Sequence, residues 1–182
     1  MGLRKFFRKK AHSTDDGEAA TTKNTNVIAD EAPDIPLGLD VLVEGVDPVV
    51  DIVAIHGLNG HREKTWTAGN QVNWLRDANM LSSIIPNTRI MSWGYDANTH
   101  STKELSAMYL YDHVQNLVSD LSLYRRSDKT NIRPIIFVAH SLGGIVLKSA
   151  LIHSDSMRSG HLYHYRSIKT SIYGIIFMGT SY

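Results

Sequence analysis

IIFVAHSLGGIVLKSAL, residues 135 to 151, is the stretch on which the fold turns. Ile135 to Ala139 form a continuous apolar run suited to a strand buried on both faces. Gly143 to His153 are helical in composition, and His140, Ser141 and Leu142 lie between the two. A serine at a sharp strand-to-helix turn is strained and exposes its hydroxyl at the sheet edge. The residues two before and two after it must be small so that the backbones can pass. Ala139 and Gly143 fill those places. Glycine is usual at the first of them, so the sequence departs by one methyl group, which the steric argument tolerates. Gly144 then lets the helix approach the strand. Taken alone, this spacing is equally consistent with Ser141 as a simple helix N-cap.

A second stretch separates the two readings. IVAIHGLNG, residues 52 to 60, places His-Gly at the end of a strong strand, where a fold with such a serine turn builds half of its oxyanion hole. The backbone N–H groups of Leu142 and Leu58 are the expected donors to a developing oxyanion, worth roughly 3 to 4 kcal/mol each. Around these stretches, strands and helices alternate. Leu39 to Glu44 and Asp51 to His56 read as strands separated by Gly45, Asp47 and Pro48. Asn73 is a candidate N-cap for a helix from Trp74 to Ile85 that Pro86 closes. Thr88 to Trp93 reads as a strand. Lys103 to Arg126 reads as a long helix whose Leu110, Val114, Leu117 and Leu121 form one apolar stripe. Ile172 to Met178 is a further buried strand. Alternation from Asp51 onward predicts an α/β fold with a parallel sheet and helices on both faces.

The totals agree with one packed domain. The chain has 182 residues, 42% hydrophobic and 20% charged, with a formal net charge of +1. That balance argues against nucleic acid as a partner, since the basic residues beyond the first ten are not clustered. There are no cysteines, which excludes disulfides and thiolate chemistry and fits an intracellular protein. No run approaches the ~20 apolar residues that span a bilayer. Residues 1 to 34 read as a disordered basic arm and linker, and 35 to 182 as the folded domain. The arm, MGLRKFFRKK, carries Arg4, Lys5, Arg8, Lys9 and Lys10 around Phe6 and Phe7. That composition suits an anionic membrane surface or an organelle-targeting segment, and equally a solvated tail. Gly2 does not make a myristoylation site, because Phe6 stands where the motif requires Ser or Thr. Residues 11 to 34 are too polar to offset their ordering entropy.

With IVAIHGLNG, VNWLRD (72 to 77), RIMSWGYDA (89 to 97), FVAHSLGGIVLKSAL (137 to 151) and GIIFMGT (174 to 180) in hand, the chain resembles a known family over roughly residues 50 to 180. This is the group of eukaryotic serine esterases and lipases related to the serine-active-site-containing protein, many of them fungal. The resemblance implies an α/β-hydrolase fold and ester or lipid chemistry. It also implies links to mitochondria, endoplasmic reticulum or membranes, and in fungi to the front of NLR-like receptors. Against the family the chain is incomplete at its C-terminus. It stops after the strand the family would count as its sixth, at Ser181 and Tyr182, where relatives continue with Pro-His and further sequence.

In this fold the triad follows the order Ser, acid, His, so the acid and the histidine are expected beyond Tyr182. His140 should project away from Ser141 across the turn. His56 is expected to order the oxyanion loop rather than act as a base, and His61 and His100 are weaker candidates. Asp96 resembles a recurrent family position and reads as a loop-ordering side chain. No metal-ligand spacing, Walker A loop or dinucleotide glycine pattern is present, so no cofactor is expected. Two readings follow. One is a serine hydrolase of ester or lipid substrates using Ser141, with little activity alone because the triad histidine and acid are missing. The other is a non-catalytic regulatory or membrane-associated interaction module on the same fold.

Overall fold

The computed structural model describes residues 36 to 97 and 107 to 180. The basic arm, the linker, His100 and the residues after Thr180 lie outside them, as does the start of the expected helix at Lys103.

The fold is mixed α/β, built on a five-stranded sheet in the order β1-β3-β2-β4-β5. The strands are β1 (Gly38–Val43), β2 (Val50–Ile55), β3 (Thr88–Gly94), β4 (Ile135–His140) and β5 (Ile172–Met178). Ile172–Met178, counted as a sixth strand from the family resemblance, is thus the fifth among the described residues. It is not the buried strand its apolar composition suggested: among those residues it stands last in the order, paired with β4 alone, and Tyr173, Ile176, Phe177 and Met178 are exposed. β2, β3, β4 and β5 run parallel, as their apolar runs and intervening crossovers require. β1 breaks that pattern. It pairs antiparallel with β3 and makes no hairpin with β2. The segment after β1 turns back through Gly45 at φ 76°, where a Cβ would stand 2.5 Å from the Thr88 carbonyl oxygen. Hydrogen bonds from Val46 N–H to Pro86 and from Val49 N–H to Asn87 then hold it against the entry to β3.

Three helices, α2 (Ala107–Ser127), α3 (Leu142–Ser156) and α4 (Tyr163–Thr170), pack on one face of the sheet. The stripe on α2 does what its spacing predicts. Val114, Leu117 and Leu121 are buried against Val53, Met91 and Phe137, and Leu110 is partly buried on the same core. The second face over β1, β2 and β3 is covered mainly by turns, with Trp66, Leu75, Trp74 and Leu81 seated on Ile52, Ala54 and Ile90. Helices on both faces therefore holds only in that α1, a single turn (Leu81–Ile84), lies on this side.

The helix expected from Trp74 to Ile85 is not formed over most of its length. Asn73 therefore caps no helix: its Oδ1 accepts the Leu75 N–H at 3.0 Å and its own N–H donates to Asp77, bonds that close a turn. Asn79 sits at φ 66°, a left-handed conformation that no α-helix continues through. Trp74 meets Trp66 edge-to-face at 5.9 Å, so tertiary packing sets this segment.

The N-terminal ends of the parallel strands are tied together by charge. Asp51, fully buried at the start of β2, accepts from Arg89 on β3 at 2.9 Å, Arg125 on α2 at 2.5 Å and Arg133 before β4 at 3.1 Å. Arg89 also pairs with Asp128 and lies over the Tyr124 ring.

Candidate active site

The opposite, C-terminal edge of the sheet carries the serine. β4 ends at His140, α3 begins at Leu142, and Ser141 between them has φ 50° and ψ −121°. That combination lies outside the regions open to L-residues, in territory that glycine alone occupies without cost. Three hydrogen bonds of its main chain, two with backbone groups and one with a side chain, over-determine it. The Ser141 N–H donates to the Met178 carbonyl at 2.8 Å, while its own carbonyl accepts from Gly144 N–H at 3.0 Å and from the Thr180 hydroxyl at 3.1 Å. The Ser141 side chain makes no capping bond to α3, so the N-cap alternative does not describe it.

Each small neighbour has a geometric reason to be small. A Cβ on Gly143 would meet the His56 carbonyl and stand 2.6 Å from that of Ile55, so this glycine lets α3 cross directly over the end of β2. On Gly144 it would collide with the Thr180 side chain. Ala139 is fully buried in register between Ile55 and Phe177, and its methyl is accommodated there.

The loop after β2 closes on the serine. A Cβ on Gly57 would lie 2.7 Å from the Ser141 Cβ and 2.9 Å from the His140 carbonyl oxygen, so bare backbone is what fits there. Residues 57 to 60 form a tight turn in which Gly60 N–H donates to the Gly57 carbonyl at 3.0 Å. Asn59 occupies its third position at φ 51° and donates its N–H to the Ala97 carbonyl. Leu58, half-exposed on the turn, and Leu142, the first residue of α3, have N–H groups with no backbone acceptor among the described residues.

His56 is fully buried beneath this turn. Its Nδ1 lies 2.9 Å from the Gly57 carbonyl oxygen, its Nε2 accepts the Tyr95 N–H at 3.2 Å, and its ring stacks on Tyr95 at 4.5 Å. Burial pushes its imidazole below the ordinary value, and His61, His113 and His140 push in the same direction. The Tyr95 hydroxyl donates to the His56 carbonyl at 3.1 Å, and burial pushes its phenol well above the usual range, so it remains a donor.

None of the other described candidates is bonded to the serine hydroxyl. His61 Nδ1 accepts the N–H groups of Glu63 and Lys64, which orders the next turn. His140 is exposed at the end of β4 and makes no bond to the serine hydroxyl, but it does not turn away as expected: its Nδ1 and the Ser141 Cβ both face Gly57. Asp96 presents its backbone carbonyl to the Tyr109 hydroxyl and to His113, so these bonds run through its main chain rather than the side chain the sequence singled out. Among the described residues no histidine hydrogen-bonds the Ser141 hydroxyl, and no group of His, Asp and Glu side chains has the arrangement of a metal site. Further along the same edge, beyond β3, lies a cavity of about 610 Å³ lined by Trp93, Tyr95, Tyr109, His113 and Asp120 among others.

The sequence reading missed Tyr95, although its place two residues beyond Trp93 at the end of a buried strand pointed to this edge. A strained serine at a β4–α3 turn, faced by a glycine turn from the neighbouring strand, is the architecture of serine esterases. A family model described as "Putative serine esterase (DUF676)" matches residues 50 to 180, and the chain belongs to that family. Among characterised proteins it is similar to Protein SERAC1 of Danio rerio, at 29% identity over 119 residues. That alignment covers 56% of this chain and 18% of the zebrafish protein.

Proposed function

We propose that this chain carries the nucleophile and the oxyanion hole of an α/β-hydrolase acting on ester or lipid substrates. The observation that carries the reading is the Ser141 backbone, φ 50° and ψ −121°, next to Gly57. A strained, uncapped serine has no structural use to offset its cost. In this reading the Ser141 hydroxyl attacks the ester carbonyl carbon. The carbonyl oxygen takes up negative charge facing the N–H groups of Leu142 and Leu58, and the N-terminal end of α3 adds its positive dipole. Collapse of the tetrahedral intermediate expels the alcohol and leaves an acyl-serine for water to cleave.

The attack requires a base to take the serine proton. With no described histidine bonded to Ser141, turnover by this chain alone is expected to be poor, since losing the base costs on the order of 10⁶. That same observation supports the second reading, a non-catalytic interaction module on this fold. No helix among the described residues is long and apolar enough to cross a membrane. Contact with anionic membranes is proposed for Arg4, Lys5, Arg8, Lys9 and Lys10 alone.

The test is to treat the purified chain with a fluorophosphonate probe and a short-chain nitrophenyl ester, beside Ser141→Ala. Labelling confined to Ser141 with slow ester turnover is the expected result. Labelling equal in both proteins would remove the hydrolase reading and leave the interaction module.

A further inference from the structure

We propose that His56 is a positioning residue, locked by Tyr95 as the neutral Nδ1–H tautomer, that turns the Gly57–Leu58 peptide so that the Leu58 N–H is presented beside Ser141. The inference rests on the hydrolase reading for its catalytic meaning, but its geometry stands apart from that reading.

A carbonyl oxygen only accepts, so the 2.9 Å contact between His56 Nδ1 and Gly57 O requires the proton on Nδ1. A backbone N–H only donates, so the 3.2 Å contact from Tyr95 N–H to Nε2 requires a bare lone pair there. The two contacts select one tautomer of the neutral ring between them. Stacking on Tyr95 at 4.5 Å and 9° fixes the ring plane, and the Tyr95 hydroxyl holds the His56 carbonyl from the other side. Gly60 completes the fit, because a Cβ there would stand 2.7 Å from Nδ1.

The consequence passes through one planar unit. In a trans peptide the C=O of one residue and the N–H of the next point in opposite directions. His56 Nδ1–H and Gly60 N–H both hold the Gly57 C=O on the inner side of the turn. The Leu58 N–H must then point outward, from a peptide whose Gly57 α-carbon lies against Ser141. Leu58 is the second residue of that turn, the position whose N–H the turn's own hydrogen bond leaves unused. Protonation would put a second donor on Nε2 facing the Tyr95 N–H and a charge in a fully buried site near His61, His113 and His140. The lock is therefore expected to open in acid, at a pH below the ordinary histidine value.

Isotope-edited NMR of the ¹⁵N-labelled chain tests this, with fluorophosphonate labelling of Ser141 followed in parallel. Asparagine places its amide N–H where Nδ1–H stood, whereas leucine does not. His56 should carry its proton on Nδ1 at neutral pH, and the Leu58 amide resonance should move on acidification with the same midpoint as the ring. His56→Leu should displace the Leu58 amide and slow labelling about 10- to 100-fold, below the 10²- to 10³-fold of a deleted donor. His56→Asn keeps the donor to the Gly57 carbonyl but loses both Tyr95 contacts, so it should label faster than His56→Leu and more slowly than the wild type. A proton on Nε2, a ring titrating at or above the ordinary value, or His56→Leu with an unmoved Leu58 amide overturns the proposal. If His56→Leu fails to fold, the wild-type tautomer and titration decide it. Labelling no faster than in Ser141→Ala would sink the hydrolase reading, and the NMR result would still decide the positioning claim.

Discussion

Replacing Ser141 by glycine should make the protein more stable than replacing it by alanine, although both remove the hydroxyl. The Ser141 backbone at φ 50° and ψ −121° carries a Cβ where only glycine is at ease, a strain of about 1–3 kcal/mol. Alanine keeps the Cβ and so keeps the strain. Glycine releases it, but gives back about 0.5–1 kcal/mol through its larger unfolded-state entropy. The side chain makes no capping bond, so deleting the hydroxyl adds little to either variant. Ser141→Gly is therefore expected above Ser141→Ala, by up to about 2.5 kcal/mol. Urea unfolding of both variants at one temperature measures this as a shift in midpoint with an unchanged slope. Ser141→Gly unfolding at or below the midpoint of Ser141→Ala would show that the turn is not strained, and the argument from strain to function would fall with it.

Gly143→Ala should cost more than about 3 kcal/mol despite roughly 1 kcal/mol of helix propensity gained, because the new Cβ meets the backbone of Ile55 and His56, which cannot rotate away. A variant melting within a degree of the wild type would contradict the close crossing of α3 over β2. Asp51→Asn leaves Arg89, Arg125 and Arg133 around a neutral group, and about 3–5 kcal/mol of destabilisation is expected in denaturant; a loss under 1 kcal/mol would refute the network's role. Acid should destabilise the fold through His56 and His113, whose burial holds both imidazoles below their ordinary values. Unfolded histidines bind protons below about pH 6.5. The unfolded state then holds more protons than the native one, so stability is full above that pH and declines beneath it. A wild-type melting temperature that stays flat from pH 7.5 to 5.5, or one that falls no more than that of His113→Phe, would count against this.

Much of this architecture is written locally in the chain. β4 was legible because it is an unbroken apolar run, and α2 because Val114, Leu117 and Leu121 recur at helical spacing. β5 was legible as a strand but not in its burial, because an apolar run does not state whether a strand has a neighbour on each side. Ser141 was legible as a turn serine because Ala139, Gly143 and Gly144 state the steric requirement in their own sizes. α4 was missed because Tyr163–Thr170 is polar and aromatic, with Ile168 its one fully buried apolar side chain. The helix over 74 to 85 was overestimated because the left-handed turn at Asn79 and the Trp74–Trp66 contact are decided in three dimensions. The antiparallel placement of β1 depends on which strand edge is free, which no window of sequence states. His56 was expected beside the oxyanion loop, and its contact with the Gly57 carbonyl is local, but its partner Tyr95 lies 39 positions away.

The Asp51 cluster has a consequence in time as well as in stability. Its partners lie 38, 74 and 82 residues along the chain from the carboxylate, so its charges stay hydrated until β2, β3, α2 and the approach to β4 are all in place. Contacts of such long sequence separation carry the largest loop-closure cost and fall late on the folding route. The cluster spans much the same separations as the β2–β3 and β2–β4 pairings, so it is expected to form with them and to slow their parting. A single carboxylate works as a latch on unfolding, placed at the edge of the sheet farthest from the serine.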